Sequence, residues 1–263
     1  KGFVIMENNF YNIFDSHAHY DDKWFDEDRE VLLSSMKENG VCGIVNNSVD
    51  LKTAKVCIDF CEKYDFMYGA VGFHPENLED MPNDYLDRVA ELLKHKKIVA
   101  VGETGLDYHW DISKDLQNRV FEEQIKLSLD VNMPIIVHDR EAHGDTLNYL
   151  RKYKPKALVH CFSGSVEMMR EVMRYGSYIS LGGVVTFKNA RHSVEVAKEV
   201  PIDRLLLETD CPYMSPVPFR GKRCDSTMIK YTAVKIAEIR NIGVQELLNI
   251  TAENAKRFYG IDD

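Results

Sequence analysis

Short apolar runs rich in β-branched residues recur along the chain: YNIF from residue 11, VCGIV from 41, FMYGAV from 66, KIVAV from 97, PIIV from 134, ALVH from 157, SYIS from 177 and RLLLE from 204. Between most of them the apolar spacing becomes helical, as in EDREVLLSSMKENG from 27, LQNRVFEEQIKLSLDVN from 116 and MIKYTAVKIAEIRNIG from 228. Eight strand candidates alternating with helices are the count that a closed (β/α)8 TIM barrel requires. An open doubly wound sheet would alternate in the same way. However, no G-x-G-x-x-G follows the first run, and no G-x-x-x-x-G-K-[ST] occurs anywhere. The expected fold class is therefore α/β, a (β/α)8 barrel.

Length agrees with that expectation, since such a barrel commonly takes about 250 residues and this chain has 263. No Pro/Gly/Ser linker, low-complexity tract or internal repeat divides it, so one barrel domain is expected over residues 1–263. The opening KGFVIMENNF has no signal-peptide pattern, and no later segment reaches membrane-helix length. A cytoplasmic protein without membrane contact is expected. The six cysteines lack paired C-x-x-C knuckles and are expected to be reduced, with Cys57 and Cys61 packed on one helical face. A net charge of −9 argues against gripping long duplex nucleic acid by bulk electrostatics. An acidic mouth would need cations before it could accept a polyanion.

In a barrel the active site lies at the C-terminal ends of the strands. Residues of metal-binding type fall there. His17 and His19 follow the first run in FDSHAHYD. Glu103 and Asp107 follow the fourth in GETGLDY, His138 the fifth in VHDR, His160 the sixth in VHCFSG, and Asp210 the eighth in ETDCPY. His17 and His19 face the same way if the extended run continues through them. Six of these groups exceed what one tetrahedral ion needs. The expected arrangement has His17, His19 and Asp210 on one ion, His138 and His160 on a second, and Glu103 bridging the two. Two such cations can activate a water and stabilise both the attacked centre and the leaving oxygen. The donor set admits Zn, Mn, Mg or Co, with Mg the unusual partner for several histidines. Asp15 and Asp21 flank the histidine pair as supports, and Glu208 has either a structural or a substrate-positioning role.

In FRGKRC, Arg220, Lys222 and Arg223 follow the last ligand and read as a phosphate clamp. His74, in VGFHPE, ends the third run; Pro75 after it favours an extended backbone, and His74 is expected to contact phosphate or protonate a leaving group. Tyr108, His109 and Trp110 could stack on bases or simply anchor a loop. His95 and His192 lie in helix-like segments away from the strand ends, and His143 sits in the loop after His138.

The ordered set FDSHAHYD, VGFHPE, VGETGLDYHW, PIIVHDR, VHCFSG, LLLETDCPYMSPVPFRGKR and TAENAKRFYG resembles the TatD-type metal-dependent deoxyribonucleases of the amidohydrolase superfamily over nearly the whole chain. The resemblance implies a metal-dependent hydrolase barrel with a two-metal site on His17, His19, Glu103, His138, His160 and Asp210. It also implies phosphodiester hydrolysis, often 3′-to-5′ on single-stranded or 3′ DNA ends. It makes His74 and the 220–223 loop phosphate-side residues. Cys224 departs from the family, where Asn commonly follows RGKR. Asp210, Glu103 and His74 are the expected catalytic residues, with Asp210 orienting or deprotonating the attacking water. A metal-dependent amide, ester or lactone hydrolase is the rival, and a noncatalytic metal-binding module a third reading. A monomer suffices, because every expected ligand comes from one chain.

Overall fold

The computed structural model describes residues 9–262. The opening segment, on which the expected absence of a targeting signal rests, lies largely outside those residues. Among the described residues the strands are β1 (Ile13–Ala18), β2 (Val41–Asn47), β3 (Met67–Val71), β4 (Ile98–Asp107), β5 (Ile135–Arg140), β6 (Ala157–Val159), β7 (Tyr178–Leu181) and β8 (Leu205–Leu207). All neighbours pair in parallel in the order β1 through β8. The helices are α1 (Arg29–Ser34), α2 (Leu51–Lys63), α3 (Tyr85–Leu92), α4 (Lys114–Asp130), α5 (His143–Tyr153), α6 (Val166–Arg174), α7 (Arg191–Glu199), α8 (Ile229–Arg240) and α9 (Val244–Tyr259). Each of the eight apolar runs carries a strand, and the (β/α)8 barrel is the observed fold. No helix among the described residues is long and apolar enough to cross a membrane.

The first and last strands meet through an Ala18–Cys211 bridge just beyond β8. Amide donation from Asp210 to the His17 carbonyl (3.0 Å) and from His19 to that of Cys211 (2.8 Å) completes the seam. Two apolar layers result. One lies between sheet and helices. The other fills the lumen with a residue from every strand, including Phe14, Val45, Ala70, Ile136 and Leu206, and is stoppered by Phe258 and Tyr259 of α9.

Two expectations need correction. The pattern from residue 27 gives only six residues of helix, because the following amides bond three residues back (Ser35 to Leu32, Met36 to Leu33) and tighten the chain into turns. His95 lies in the turn after α3 rather than within a helix.

Candidate metal centre

β1 ends with His17 and then His19 pointing into one space, their Nε2 atoms 3.0 Å apart. Glu103, on β4, divides its carboxylate between two groups of imidazoles. Its Oε2 lies 3.2 Å from His17 Nε2 and 3.3 Å from His19 Nε2. Its Oε1 lies 2.8 Å from His160 Nε2, 2.9 Å from His138 Nδ1 and 3.4 Å from His74 Nε2. Asp210 joins the first group, with Oδ1 at 3.5 Å from His19 and 3.7 Å from His17. The cluster sits at the C-terminal mouth of the barrel, where the fold predicts an active site.

The outward ring nitrogens decide what the inward ones offer. His19 Nδ1 lies 3.0 Å from the Asn47 carbonyl, which can only accept. His138 Nε2 lies 3.0 Å from Asp107 Oδ2. In their neutral forms both rings therefore turn a lone pair inward. His74 differs: its Nδ1 accepts from the Glu76 amide at 3.2 Å, which leaves Nε2 as an N–H donor toward the cluster.

The supports begin in the helices. Buried Gln117 of α4 clasps the Asp107 backbone, accepting from its amide at 2.8 Å and donating to its carbonyl at 2.9 Å. Gln124, two turns on, does the same for Phe73 beside His74 (2.8 and 3.0 Å) and also reaches Thr104. Asp15 is buried and accepts from the Thr209 amide (2.9 Å), the Thr209 hydroxyl (2.6 Å) and Ser226 (2.7 Å). It contacts the backbone N–H of His17 and not an imidazole, so its support acts through the strand. Asp21 accepts from Asn46 and braces its loop. Glu208 accepts from the Cys161 amide and Ser180, with His160 Nδ1 at 3.9 Å.

Electrostatics favour a cation here. Burial pushes the Glu103 carboxyl up, yet His160, His17 and His74 together hold it well below the ordinary carboxylate range. Burial drives His17 down to about 3. Burial also pulls at His138, but Asp107 and Glu103 outweigh it and raise that ring to about 10. The carboxylates that attract a proton there would attract a divalent ion in the same way. Among the described residues, the buried Nδ1 atoms of His17 and His160 have no hydrogen-bond partner. Imidazole lone pairs crowded around a shared carboxylate repel one another unless a cation lies among them, so the donor set fits a metal. His17, His19 and Asp210 form one group able to hold an ion, His74, Glu103 and His138 a second, and His17, His160 and Glu208 a third.

A cavity of about 780 Å³ opens above the cluster. His19, His74, Glu103, His138, His160 and Asp210 line it, with Trp110, Arg140 and Tyr213 nearer the rim. The structure brings together all six expected ligands and His74. The 220–223 loop does not form the wall of this cavity. Arg223 is engaged with both oxygens of Asp28 (2.7 and 2.6 Å) and with the Trp24 carbonyl (2.7 Å), and the Arg220 guanidinium lies 3.6 Å over the Phe187 ring. Arg140, which does line the cavity, was missed from the sequence, although it is two residues from His138 on β5 and so faces the same way. Tyr108 is a loop anchor, bonded to Asp145 and Asn118, while Trp110 stays open to the mouth. His109 pairs with Glu141, and His143 opens α5 paired with Asp139. Cys57 and Cys61 are buried thiols of α2 packed against Gly69.

The family model for TatD related DNases matches residues 14–260. The chain is similar to the metal-dependent hydrolase YabD of Bacillus subtilis, 46% identical over 254 residues covering 95% of this chain and 100% of YabD. It is similar to YcfH, a metal-dependent hydrolase of Escherichia coli K12, at 35% identity over 257 residues, 95% of this chain and 96% of YcfH. Among solved structures, the TatD homologue YJJV of E. coli K12 superposes with a TM-score of 0.88 at 27% identity, covering 95% of this chain and 99% of that one.

Proposed function

Because the chain belongs to the TatD-related DNase family and is a metal-dependent hydrolase, we propose that it hydrolyses phosphodiester bonds, removing nucleotides from the 3′ ends of single-stranded DNA with two divalent cations bound. The divided contacts of Glu103, one oxygen toward His17 and His19 and the other toward His138 and His160, are the observation that carries the two-cation reading. His17, His19 and Asp210 would hold one ion, His138 and His160 the other, with Glu103 between them. Cations of Zn, Mn, Mg or Co held there supply charge stabilisation for a phosphoryl oxygen and lower the pKa of water.

The rest is the work of the side chains. Against burial, His19, His17 and His160 keep Asp210 below the ordinary carboxylate range, so it stays ionised and can orient an attacking water and accept its proton. Burial lowers His74. As a neutral ring it donates Nε2–H to a phosphate oxygen as negative charge develops there. Arg220 and Lys222 attract the strand's phosphates, while Arg223 fixes their loop to Asp28. All these groups come from one chain, so a monomer in the cytoplasm suffices.

The placement of the basic loop outside the cavity wall favours a second reading, a metal-dependent amide, ester or lactone hydrolase working on the same water chemistry. Apoprotein reconstituted separately with Zn²⁺, Mn²⁺, Co²⁺ and Mg²⁺ should be given 3′-labelled and 5′-labelled single-stranded DNA, beside Glu103→Ala as the contamination control. Mononucleotides released from the 3′ end by wild type and not by Glu103→Ala are the expected result. No cleavage with any cation would overturn the nuclease reading in favour of the carbonyl hydrolase.

A further inference from the structure

β4 and β8 lie across the barrel from one another, and the loops after them carry exposed aromatics to opposite sides of the cavity. Trp110 is on the β4 side. On the other, Trp24 is 50%, Tyr213 46% and Met214 45% exposed, with Tyr213 and Met214 in the cavity wall. The Trp24 and Tyr213 rings are 6.1 Å apart, centre to centre. Two of these side chains line the active-site cavity and the third, Trp24, stands beside Tyr213; large apolar side chains left in water together at such a place mark a surface that a ligand covers.

Hydrogen bonds also tie the cluster down. The Tyr213 hydroxyl donates to Asp22 Oδ2 at 2.7 Å, and the other oxygen of Asp22 accepts from the Trp24 amide at 2.8 Å. The Tyr213 amide donates to the Asp210 carbonyl at 2.9 Å, which ties the ring to a proposed metal ligand. Arg223 holds the Trp24 carbonyl and thereby joins the aromatic pair to the loop that presents Arg220 and Lys222. Rings held in place before binding lose little conformational freedom when a partner stacks on them.

We propose that Trp24 and Tyr213, flanked by Met214, form a stacking platform for a nucleobase next to the scissile phosphate of a single-stranded nucleic acid. The assignment rests on the phosphodiester reading. Aromatic faces interleaved with cations are how sequence-tolerant single-strand sites hold a chain, the rings taking bases and the cations taking phosphates. In a duplex the faces of each base are covered by its neighbours, so the platform selects unpaired or frayed ends. It therefore acts on substrate choice and leaves the chemistry to the cluster.

Fluorescence separates this assignment from the activity. In Trp110→Phe, Trp24 is the sole tryptophan. A short phosphorothioate oligothymidylate should quench its emission, and an abasic oligomer of equal length should not. In steady-state cleavage of single-stranded DNA, Trp24→Ala should raise KM about tenfold with kcat held within roughly twofold, and Trp24→Phe should recover most of the loss. On the abasic oligomer wild type and Trp24→Ala should have the same KM. DNA cleavage without quenching of Trp24, or an equal KM defect on base-bearing and abasic strands, overturns the platform and leaves the nuclease reading intact. Quenching by the oligothymidylate alone, in a protein that cleaves no nucleic acid, overturns the nuclease reading and with it the placement beside a scissile phosphate.

Discussion

Asp107 acts on the cluster without belonging to either of its halves. By accepting from His138 Nε2 it leaves Nδ1 as the atom facing Glu103, and Gln117 holds Asp107 in place from behind. Removing such a partner frees the ring to rotate and lowers its basicity. Asp107→Ala should therefore weaken divalent-ion binding roughly 10- to 100-fold, measured by competition with a chelating dye, while the fold survives. At this scale the sequence was most informative for the donors themselves, because imidazoles and carboxylates recurring after five strands of a barrel must all arrive at the same mouth. It was least informative for side chains whose role depends on distant partners. Gln117 and Gln124 read as ordinary helix polar residues until the helix is docked and their amides meet Asp107 and Phe73. Arg140 could have been found by the period-two rule that paired His17 with His19. Arg223 carries no local sign that Asp28, nearly the whole chain away, will claim it.

The elements deliver these side chains only because their ends are held in register. Gly105 shows how tightly. Its φ is +149°, and a Cβ added there would lie 2.0 Å from the carbonyl oxygen of His138 on the adjacent strand. A side chain would have to push β5 away from β4 at the point where both carry donors. Gly105→Ala should lower unfolding free energy by at least about 2 kcal/mol in urea titration and reduce metal affinity at the same time. The strand runs were legible because buried parallel strands leave continuous apolar stretches. Their extents were less so: β4 continues through GETGLD to Asp107, where nothing apolar except Leu106 marks a strand. The short α1 was masked by an apolar spacing that persists past the point where its amides change partners.

For the molecule as a whole, cation binding and folding are linked, since the donors converge only in the native barrel. Any ion that binds the folded chain alone stabilises it by mass action, by about 2.7 kcal/mol at a hundredfold excess over Kd. Chelation should lower Tm by about 5 to 10 °C, recovered on adding back one cation from the Zn, Mn, Mg and Co set, as followed by calorimetry. An unchanged Tm would mean that the cluster holds no ion tightly. The barrel seam has a consequence in time. Asp15 and Thr209 are 194 residues apart, and the donors beside them, His17 and His19 just after Asp15 and Asp210 just after Thr209, come from the end of the first strand and the segment following the last. During synthesis the early histidines wait, exposed and incomplete, until nearly the whole barrel has emerged from the ribosome. A half-made chain thus carries no finished hydrolytic centre, and the segment that closes the cylinder is also the one that arms it.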